Sequence, residues 1–350
     1  MNDACRISTL PAMALMLLCA VLAAPCQARD ADLRLYVLDC GHATFKDMGG
    51  FSDTGEYDGK SGEIAVPCFL IRHPKGDLLW DAGLGDHYNY PKEGSDAAPG
   101  VHVTVPVTLL AQLQSLKLAP KDINYIAFSH LHWDHTGNAN EFPNSVWIMN
   151  KTELAWAQVL PPPGGVLPET WSAYKNAKNE AIDGDYDVFG DGRVMILRAP
   201  GHTPGHVCLY SPEHRILISG DHVLEKITPN IAWHPKHDML AKYLTSLDLL
   251  LPYDIDVVIP SHGAQFQDHR AVIRGTAEHH EERCGVIFEH VTTAPRTAHE
   301  LVLSMWRRKL SAFHHNFAVF EVLAHLDYMA RRGQISSQTL YGGAMLWAPA

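Results

Sequence analysis

The residues best suited to chemistry lie in one short run, His130-Leu131-His132-Trp133-Asp134-His135. Imidazole and carboxylate groups are the usual protein ligands of zinc. Closely spaced ligands on a tight loop can point at two ions about 3.5 Å apart. The spacing therefore predicts a dinuclear centre, with His130 and His132 facing one ion and Asp134 and His135 facing the other. A histidine-rich surface loop is the alternative interpretation.

Three further segments, each following a predicted strand, carry residues of the same types. His202 lies in the turn Gly201-His202-Thr203-Pro204-Gly205-His206 and would give the first ion its third nitrogen. Asp221 has two carboxylate oxygens and can bridge both ions. His262, in Pro260-Ser261-His262-Gly263, would give the second ion its other imidazole. The predicted metal ligands are thus His130, His132, Asp134, His135, His202, Asp221 and His262.

Two adjacent ions define a hydrolytic centre. Together they make a bridging hydroxide available at neutral pH, and one of them polarises an ester-type carbonyl. Asp134 would orient the hydroxide and carry a proton to the leaving alkoxide, so it is the predicted catalytic residue. His206, which begins a predicted strand, is expected to support the centre by a hydrogen bond rather than to bind an ion.

The composition of the chain limits its partners. It has 350 residues, of which 46% are hydrophobic, so it can build a large core. Its 22 histidines are in keeping with a metal site, and its formal net charge is -11. An acidic surface argues against nucleic acid as a partner, and a small molecule is the expected substrate.

The N-terminus has the pattern of a secretory signal. Arg6 precedes an apolar stretch from Leu10 to Ala24, and Cys26-Gln27-Ala28 offers a cleavage site. We therefore predict a signal peptide over residues 1–28, a periplasmic or secreted mature protein, and no stable membrane span after processing. An uncleaved N-terminal anchor is the alternative.

The cysteines leave two interpretations open. Three of the seven lie in the predicted signal, so the mature chain keeps four. An oxidising compartment permits disulfides, whereas buried free thiols fit the sequence equally well. The four are Cys40, Cys68, Cys208 and Cys284.

Short β-rich runs, helices and turns would position these side chains. Strands are predicted at residues 33–38, 65–72, 77–80, 123–128, 146–149, 194–197, 206–210, 215–219 and 256–259. Helices are expected over residues 105–118 and 237–251 and from Thr152, which is the predicted cap. A Gly- and Asp-rich loop is expected over residues 41–62. The pattern indicates a sandwich-like α/β architecture with the histidine-rich segments at strand ends.

The tail changes character from residue 268 onward. Helices are predicted at 268–291, 298–309 and 316–332, followed by short strands near 333–335 and 343–347. Helices followed by a small hairpin indicate a winged-helix-like module. We expect residues 268–350 to shape the pocket mouth or a homodimer contact, without binding DNA specifically. The basic runs 307–309 and 331–332 fit solvated helix faces better than a binding patch.

Together these segments resemble the metallo-β-lactamase superfamily over about residues 33–265. The resemblance implies a four-layer αβ/βα sandwich, here residues 29–267, that carries two zinc ions at one edge. Other divalent metals are an open alternative. Asp81-Ala82-Gly83 is similar to the family's D-x-G turn, in which Asp81 would support a ligand rather than bind an ion. Asp221 argues against a true β-lactamase, whose pattern has a different residue there.

Within residues 33–220 the chain is most similar to N-acyl homoserine lactonases, at Pro67-Cys68-Phe69-Leu70, 129–137 and 183–186. Lactone hydrolysis is therefore the expected activity. Leu224 stands where those lactonases have a Tyr that binds the substrate carbonyl, and His222 or Tyr243 would have to compensate. The tail resembles that of β-lactamase-like protein 2. Hydrolysis of a thioester, a β-lactam or a phosphodiester stays open, and a nucleic-acid-directed role through the tail is less favoured.

Four large apolar side chains could line a pocket for an acyl chain. Packing within the core or within a loop is at least as good an interpretation for each of them. They are Met48, Phe51, Trp133 and Trp233.

Overall fold

The computed structural model describes residues 32–52, 54–227, 229–231, 233–306 and 310–350. The predicted signal peptide, residues 1–28, and the basic run 307–309 lie outside the described residues. Among the helices that the structure describes, none combines the length and the apolar character that a membrane crossing requires.

The first sheet has eight strands. They are β1 (Arg34–Phe45), β2 (Gly62–His73), β3 (Gly76–Trp80), β4 (Ser95–Ala98), β5 (Val101–Thr104), β6 (Tyr125–Ala127), β7 (Val146–Asn150) and β8 (Lys178–Ile182). Their order in the sheet is β4-β5-β1-β2-β3-β6-β7-β8. Strands β3, β6, β7 and β8 run parallel to one another. The carboxyl ends of these four strands therefore meet at one edge, where α/β sheets usually carry their sites.

The second sheet has five strands, in the order β13-β12-β11-β10-β9. They are β9 (Tyr186–Asp187), β10 (Met195–Arg198), β11 (Val207–Ser211), β12 (Ile216–Gly220) and β13 (Val257–Pro260). The pair β12 and β13 is parallel, so the segments that follow these two strands also lie side by side.

Successive side chains of a strand point to opposite faces of its sheet, so each sheet packs on both sides. Phe69 and Ile71 of β2 join the core between the sheets, together with Val207 and Leu209 of β11. The neighbouring Leu70 belongs to a second core on the outer face of the first sheet. A third core lies outside the second sheet. The helices that cover the sheets are α1 (Leu109–Ser115), α2 (Trp133–Thr136), α3 (Lys151–Ala157) and α4 (Met239–Leu250). The predicted four-layer αβ/βα sandwich is confirmed.

Two local predictions need correction. Strand β1 continues to Phe45, so the loop expected over residues 41–62 starts later. The strand continues because its last four residues pair with β5 as well as with β2. The cap of α3 is Asn150 rather than Thr152, since the Asn150 side chain accepts hydrogen bonds from the backbone N–H groups of Thr152 and Glu153.

One disulfide joins β1 to β2. It links Cys40 to Cys68, whose Cα atoms are 5.7 Å apart. Cys208 and Cys284 are free thiols. The sequence had left both states open, and the structure contains both.

The C-terminal part has a core of its own. It consists of α5 (His269–Thr293), β14 (Arg296–Thr297), α6 (Ala298–Met305), α7 (Ala312–Arg331), β15 (Ile335–Thr339) and β16 (Met345–Pro349). The three strands form a small sheet in the order β14-β16-β15. Ile287, Leu301, Val322, Leu326 and Trp347 are buried together between the helices and this sheet. We call residues 268–350 the C-terminal module; helices with a short hairpin are what the sequence predicted.

Candidate metal centre

All seven predicted ligands come together at one edge of the sandwich. His130 follows β6, and the short helix α2 carries Asp134 and His135. His202 lies in the turn between β10 and β11, Asp221 follows β12, and His262 follows β13. The segments that follow four strands therefore carry the predicted ligands, as the positions of the motifs after predicted strands indicated.

Three imidazoles form the first group of ligand atoms. His130 Nε2 lies 2.9 Å from His132 Nδ1, and His202 Nε2 lies 3.2 Å from that same Nδ1. Two nitrogens bound tetrahedrally to one zinc ion would be about 3.3 Å apart. The three rings therefore already have the spacing of ligands that share an ion.

The second group consists of Asp134, His135 and His262. Asp134 Oδ2 lies 3.3 Å from His262 Nε2 and 3.7 Å from His135 Nε2. One carboxylate oxygen thus faces two imidazole nitrogens, which is a donor set suited to a divalent cation.

Asp221 stands between the two groups. Its Oδ2 atom lies 3.4 Å from His262 Nε2 and 3.6 Å from His202 Nε2, which belong to different groups. Its Oδ1 atom lies 3.7 Å from His135 Nε2. A single carboxylate is therefore within reach of both groups, the position that a bridging ligand needs.

Two buried polar atoms test whether the site fits a metal. His135 Nε2 and Asp221 Oδ1 are buried and have no hydrogen-bond partner. Buried polar atoms normally have partners, because leaving one unpaired costs about 1–3 kcal/mol. Both atoms face the space between the ligand groups, so a cation there would satisfy them. The residues present fit a divalent metal ion.

The electrostatics of the two groups differ. Burial, reinforced by nearby His202, lowers the pKa of His132 to about 3, so its ring is neutral and able to bind a metal. Burial would also lower the pKa of His135, but the carboxylates of Asp134, Asp81 and Asp221 outweigh it and raise that pKa to about 9. The carboxylate-rich side therefore attracts positive charge, which a divalent cation supplies in place of a proton.

Asp81 holds one ligand from behind. It is fully buried, and its Oδ1 accepts a hydrogen bond from the Ser129 N–H at 2.7 Å. Its Oδ2 accepts from the Ser129 hydroxyl at 2.9 Å and faces His135 Nδ1 at 3.0 Å. With both oxygens occupied, Asp81 fixes the orientation of His135 so that Nε2 points inward. This is the supporting role expected for it.

Backbone groups and one further histidine fix the remaining ligands. His206 Nε2 accepts a hydrogen bond from the Asp221 N–H at 3.1 Å, which agrees with the supporting role expected for His206. His202 Nδ1 faces the Asn230 carbonyl at 2.9 Å. His262 Nδ1 faces the Ala65 carbonyl at 3.1 Å. Each contact leaves the ligand atom directed toward the centre.

Glu153 is a functional candidate that the sequence interpretation missed. Its carboxylate accepts from the Leu131 N–H at 3.0 Å and from the Gly205 N–H at 2.9 Å, and it is buried. Burial raises its pKa to about 7. It thereby ties together the two loops that carry His132 and His202. The sequence offered only a Glu three residues after Asn150, a pattern that also marks an ordinary helix start.

The residues proposed to replace the missing tyrosine do not serve that purpose. Leu224 is buried and apolar. The Tyr243 hydroxyl donates to the His222 carbonyl, and His222 Nε2 pairs with the Ser246 hydroxyl at 3.1 Å. Both His222 and Tyr243 are fully buried. The prediction that either of them compensates for Leu224 was wrong, because both side chains are enclosed in the outer layer of the second sheet, where the Tyr243 hydroxyl is paired and His222 Nδ1 has no partner.

The four large apolar residues that could line an acyl-chain pocket lie in two different clusters. Met48, Phe51 and Trp133 belong to one cluster near β1 and β5. Trp233 instead packs against the core under α4. Phe51 also faces an open cleft beside α7.

Two sheets enclosed by helices, with a histidine and aspartate cluster at one edge, define a metal-binding hydrolase. A family model of the metallo-β-lactamase superfamily matches residues 61–262, and a model of the metallo-β-lactamase-like C-terminal domain matches residues 284–346. The chain therefore belongs to the metallo-β-lactamase superfamily.

Curated relatives are similar over about half of the chain. The N-acyl homoserine lactonase AttM of Azorhizobium caulinodans is 34% identical over 188 residues, which cover 50% of this chain and 69% of that protein. An N-acyl homoserine lactonase of Bacillus cereus is 31% identical over 153 residues, covering 42% of this chain and 58% of that protein.

A solved structure shares the fold over more of the chain. A metallo-β-lactamase family protein of Thermus thermophilus has a TM-score of 0.63 and 23% identity, and the match covers 90% of this chain and 98% of that one. A quorum-quenching N-acyl homoserine lactone hydrolase has a TM-score of 0.52 and 21% identity, over 65% of this chain and 91% of that one. The fold thus extends through both parts of the chain in the first case.

Proposed function

We propose that this protein is a dinuclear zinc-dependent hydrolase that opens the lactone ring of N-acyl homoserine lactones. The placement of Asp221 between two groups of ligand atoms supports the dinuclear assignment. The similarity to proteins named N-acyl homoserine lactonase supports the substrate class.

The site's own residues suit this reaction. When bound, two divalent ions would activate water and polarise the ester carbonyl. His130, His132 and His202 would hold one ion, Asp134, His135 and His262 the other, and Asp221 both. Burial would raise the pKa of Asp134, but His135 and His262 outweigh it and lower that pKa to about 2, so the carboxylate is ionised. It can orient the attacking water, accept the proton that the water gives up, and pass that proton to the leaving alkoxide, which the opened ring keeps tethered nearby.

Leu224 limits the rate of lactone hydrolysis that we expect. Its apolar side chain supplies no hydrogen bond to the substrate carbonyl, and the side chains of His222 and Tyr243 are fully buried. Losing one such donor costs on the order of 3 kcal/mol in the transition state. We therefore expect lactone turnover that is measurable but slower than that of lactonases that keep a Tyr at this position.

We further propose that the mature chain acts outside the cytoplasm, after removal of residues 1–28. The disulfide between Cys40 and Cys68 supports this location, because disulfides persist in oxidising compartments and are rare in the cytosol. We also propose that residues 29–267 and 268–350 form the two units of the chain, that its partner is a small molecule, and that it does not bind nucleic acid. The separate core of the C-terminal module favours this division.

A substrate panel tests the proposed activity. Zinc-loaded protein starting at Arg29 is assayed with acyl homoserine lactones, acyl thioesters, nitrocefin and bis-p-nitrophenyl phosphate, with Asp221→Ala as the inactive control. Lactone opening above the control is the expected result. No lactone opening, together with turnover of another substrate, would move the protein to a different hydrolase class of the same fold.

A further inference from the structure

We propose that Gly165 is a positioning residue of the metal centre, which holds the His132 ring by direct contact where the other ligand imidazoles are held by a hydrogen bond. This inference rests on the proposed function, because it takes His132 as a ligand of the first ion. It gives a role to the loop 161–166, which contains none of the predicted ligands.

The ring of His132 is fixed differently from the other ligand rings. Four of the five ligand imidazoles face a hydroxyl, a carboxylate or a backbone carbonyl through the ring nitrogen that points away from the centre; they are His130, His135, His202 and His262. His132 turns its Nδ1 to the centre, and its Nε2 has no hydrogen-bond partner in the part of the chain that the structure describes. The orientation of this ring therefore depends on packing.

Gly165 lies directly against this ring. A Cβ atom at position 165 would be 2.6 Å from His132 Cδ2 and 3.0 Å from His132 Nε2, closer than a side chain can normally approach. The Gly165 carbonyl also accepts a hydrogen bond from the Trp133 N–H at 2.8 Å. The loop thus contacts both the ring of the ligand and the backbone next to it.

The ring has little room to move away from position 165. Its centroid lies 4.5 Å from that of the His130 ring, 4.9 Å from His202 and 5.9 Å from Trp156. Close-packed groups yield to an added atom only by shifting. One carbon added at position 165 would therefore turn the His132 ring, and Nδ1 would leave its place beside the other two imidazoles.

The backbone turn also favours glycine at this position. The Val166 N–H donates to the Pro163 carbonyl at 3.1 Å, and Gly165, the third residue of this turn, has a φ of +83°. A positive φ at that place is typical of a type II turn, in which Gly or Asn is preferred. The strain of the turn therefore has to be separated from the contact with His132.

Four variants make that separation. Gly165→Ala and Gly165→Asn both add a side chain against His132, and asparagine tolerates the turn conformation. Gly192→Ala introduces similar backbone strain, at a φ of +75°, in open space. Gly164→Ala changes the neighbouring residue of the loop, also in open space.

Zinc affinity is measured by chelator competition, with circular dichroism as the check that each variant is folded. We expect both Gly165 variants to bind zinc about 10- to 100-fold more weakly than the wild type and both controls to stay within about twofold of it. Wild-type zinc affinity in a folded Gly165→Asn protein would overturn the proposal.

A double-mutant cycle on the metal-free protein tests the contact itself. Gly165→Ala is introduced into the wild type and into His132→Ala, and Tm is measured for all four proteins. If the added methyl group presses on the ring, Gly165→Ala should lower Tm less in the His132→Ala background than in the wild type. An equal loss of Tm in both backgrounds would assign the loss to backbone strain alone and contradict the proposal.

Cobalt(II) gives a readout that a general loss of stability does not change. The visible absorption of this ion depends on the number and arrangement of its ligands. The cobalt-loaded Gly165→Ala protein should differ from the wild type in the position or intensity of these bands, whereas Gly164→Ala should not. Identical spectra of Gly165→Ala and the wild type would mean that the added group does not displace His132.

These measurements do not depend on the substrate. If the wild type binds zinc but opens no lactone, and the Gly165 variants bind zinc more weakly, the role of Gly165 stands and the proposed activity fails. If the wild type opens lactones and Gly165→Asn keeps the wild-type zinc affinity, the activity stands and the role of Gly165 fails.

Discussion

The metal centre and the C-terminal module are built in opposite ways. The centre gathers His130, Asp134, His202, Asp221 and other polar side chains that are distinctive in type and lie in short motifs. The module is held by a common apolar core, which contains no cluster of metal ligands within the described residues. Chemistry can therefore be inferred from residue types in the first region, whereas the apolar core of the second region indicates only how it is held together.

The two regions are nevertheless joined at specific contacts. The Asn230 amide donates to the Phe317 carbonyl, and Arg332 Nη1 donates to Asp238 Oδ2, the cap of α4, at 2.9 Å. Ile273 and Ala324 of the module are also buried in the core under α4, so only changes away from this shared packing should alter one region and leave the other folded. Variants in each region test how far the two regions are independent.

The largest effect is expected from Asp221→Ala. Because this carboxylate reaches both ligand groups, its loss should remove metal and lower kcat/KM by about 10³-fold or more. Asp254→Ala, which removes an exposed carboxylate paired with Arg215, should leave both unchanged. Elemental analysis and lactone assays measure the outcome, and wild-type activity of Asp221→Ala would refute its assignment as a shared ligand.

Leu326→Ala tests how much the core of the C-terminal module contributes to stability. Leu326 is fully buried in the module core, and its truncation should lower the free energy of unfolding by about 3 kcal/mol. Leu303→Ala, at a position 63% exposed on α6, should cost much less. Thermal and denaturant unfolding give the stabilities. Zinc content should match the wild type for both variants, and a large loss of zinc in folded Leu326→Ala would break the separation between the regions.

Asp81→Asn should weaken the centre without removing a ligand. An amide cannot accept the hydrogen bonds from Ser129 and hold His135 Nδ1 as the carboxylate does, so zinc affinity should fall about 10- to 100-fold. Asp77→Asn changes another buried carboxylate, one that pairs with Arg72 on the neighbouring strand, and should not alter zinc binding. Chelator competition compares the two variants; equal affinities would contradict the role given to Asp81.

The smallest expected effect is an increase in lactone hydrolysis. Leu224→Tyr would restore a hydroxyl for the substrate carbonyl and should raise kcat/KM several-fold on acyl homoserine lactones but not on acyl thioesters. Steady-state kinetics with both substrate classes provides the comparison. If the wild type and Leu224→Tyr both fail to open lactones, the lactonase proposal is wrong, whereas the metal-dependent hydrolase assignment is unaffected.

The ligand set could be predicted from sequence because each motif ends a strand. Parallel pairing of β3 with β6 and of β12 with β13 brings those ends to one edge, so order along the chain was enough to gather the residues. The supporting role of Asp81 followed from the similarity of Asp81-Ala82-Gly83 to the D-x-G turn of the superfamily, and that of His206 from its place at the start of a predicted strand. Their positions are set by backbone turns adjacent to the ligands.

Other features depend on contacts that no local pattern encodes. The partner of Cys40 lies 28 residues away on a neighbouring strand, so the pairing follows from the register of the sheet. Glu153 joins two loops by accepting backbone hydrogen bonds, which leave no trace in residue types. His222 and Tyr243 were misjudged because closeness in sequence to Asp221 does not reveal which way a buried ring points. The cleft beside α7 could not be predicted, since its lining comes from separate parts of the sequence, residues 50–52, 230, 306, 310, 314, 317, 318 and 321.

Counting metal ions in the active protein tests the central claim most directly. Zinc-loaded wild type, freed of excess metal and shown to be active, is examined by elemental analysis per mole of chain. Three imidazoles, a second group of Asp134, His135 and His262, and the shared Asp221 predict about two zinc ions per chain. Fully active protein that holds one ion or none would contradict the dinuclear centre.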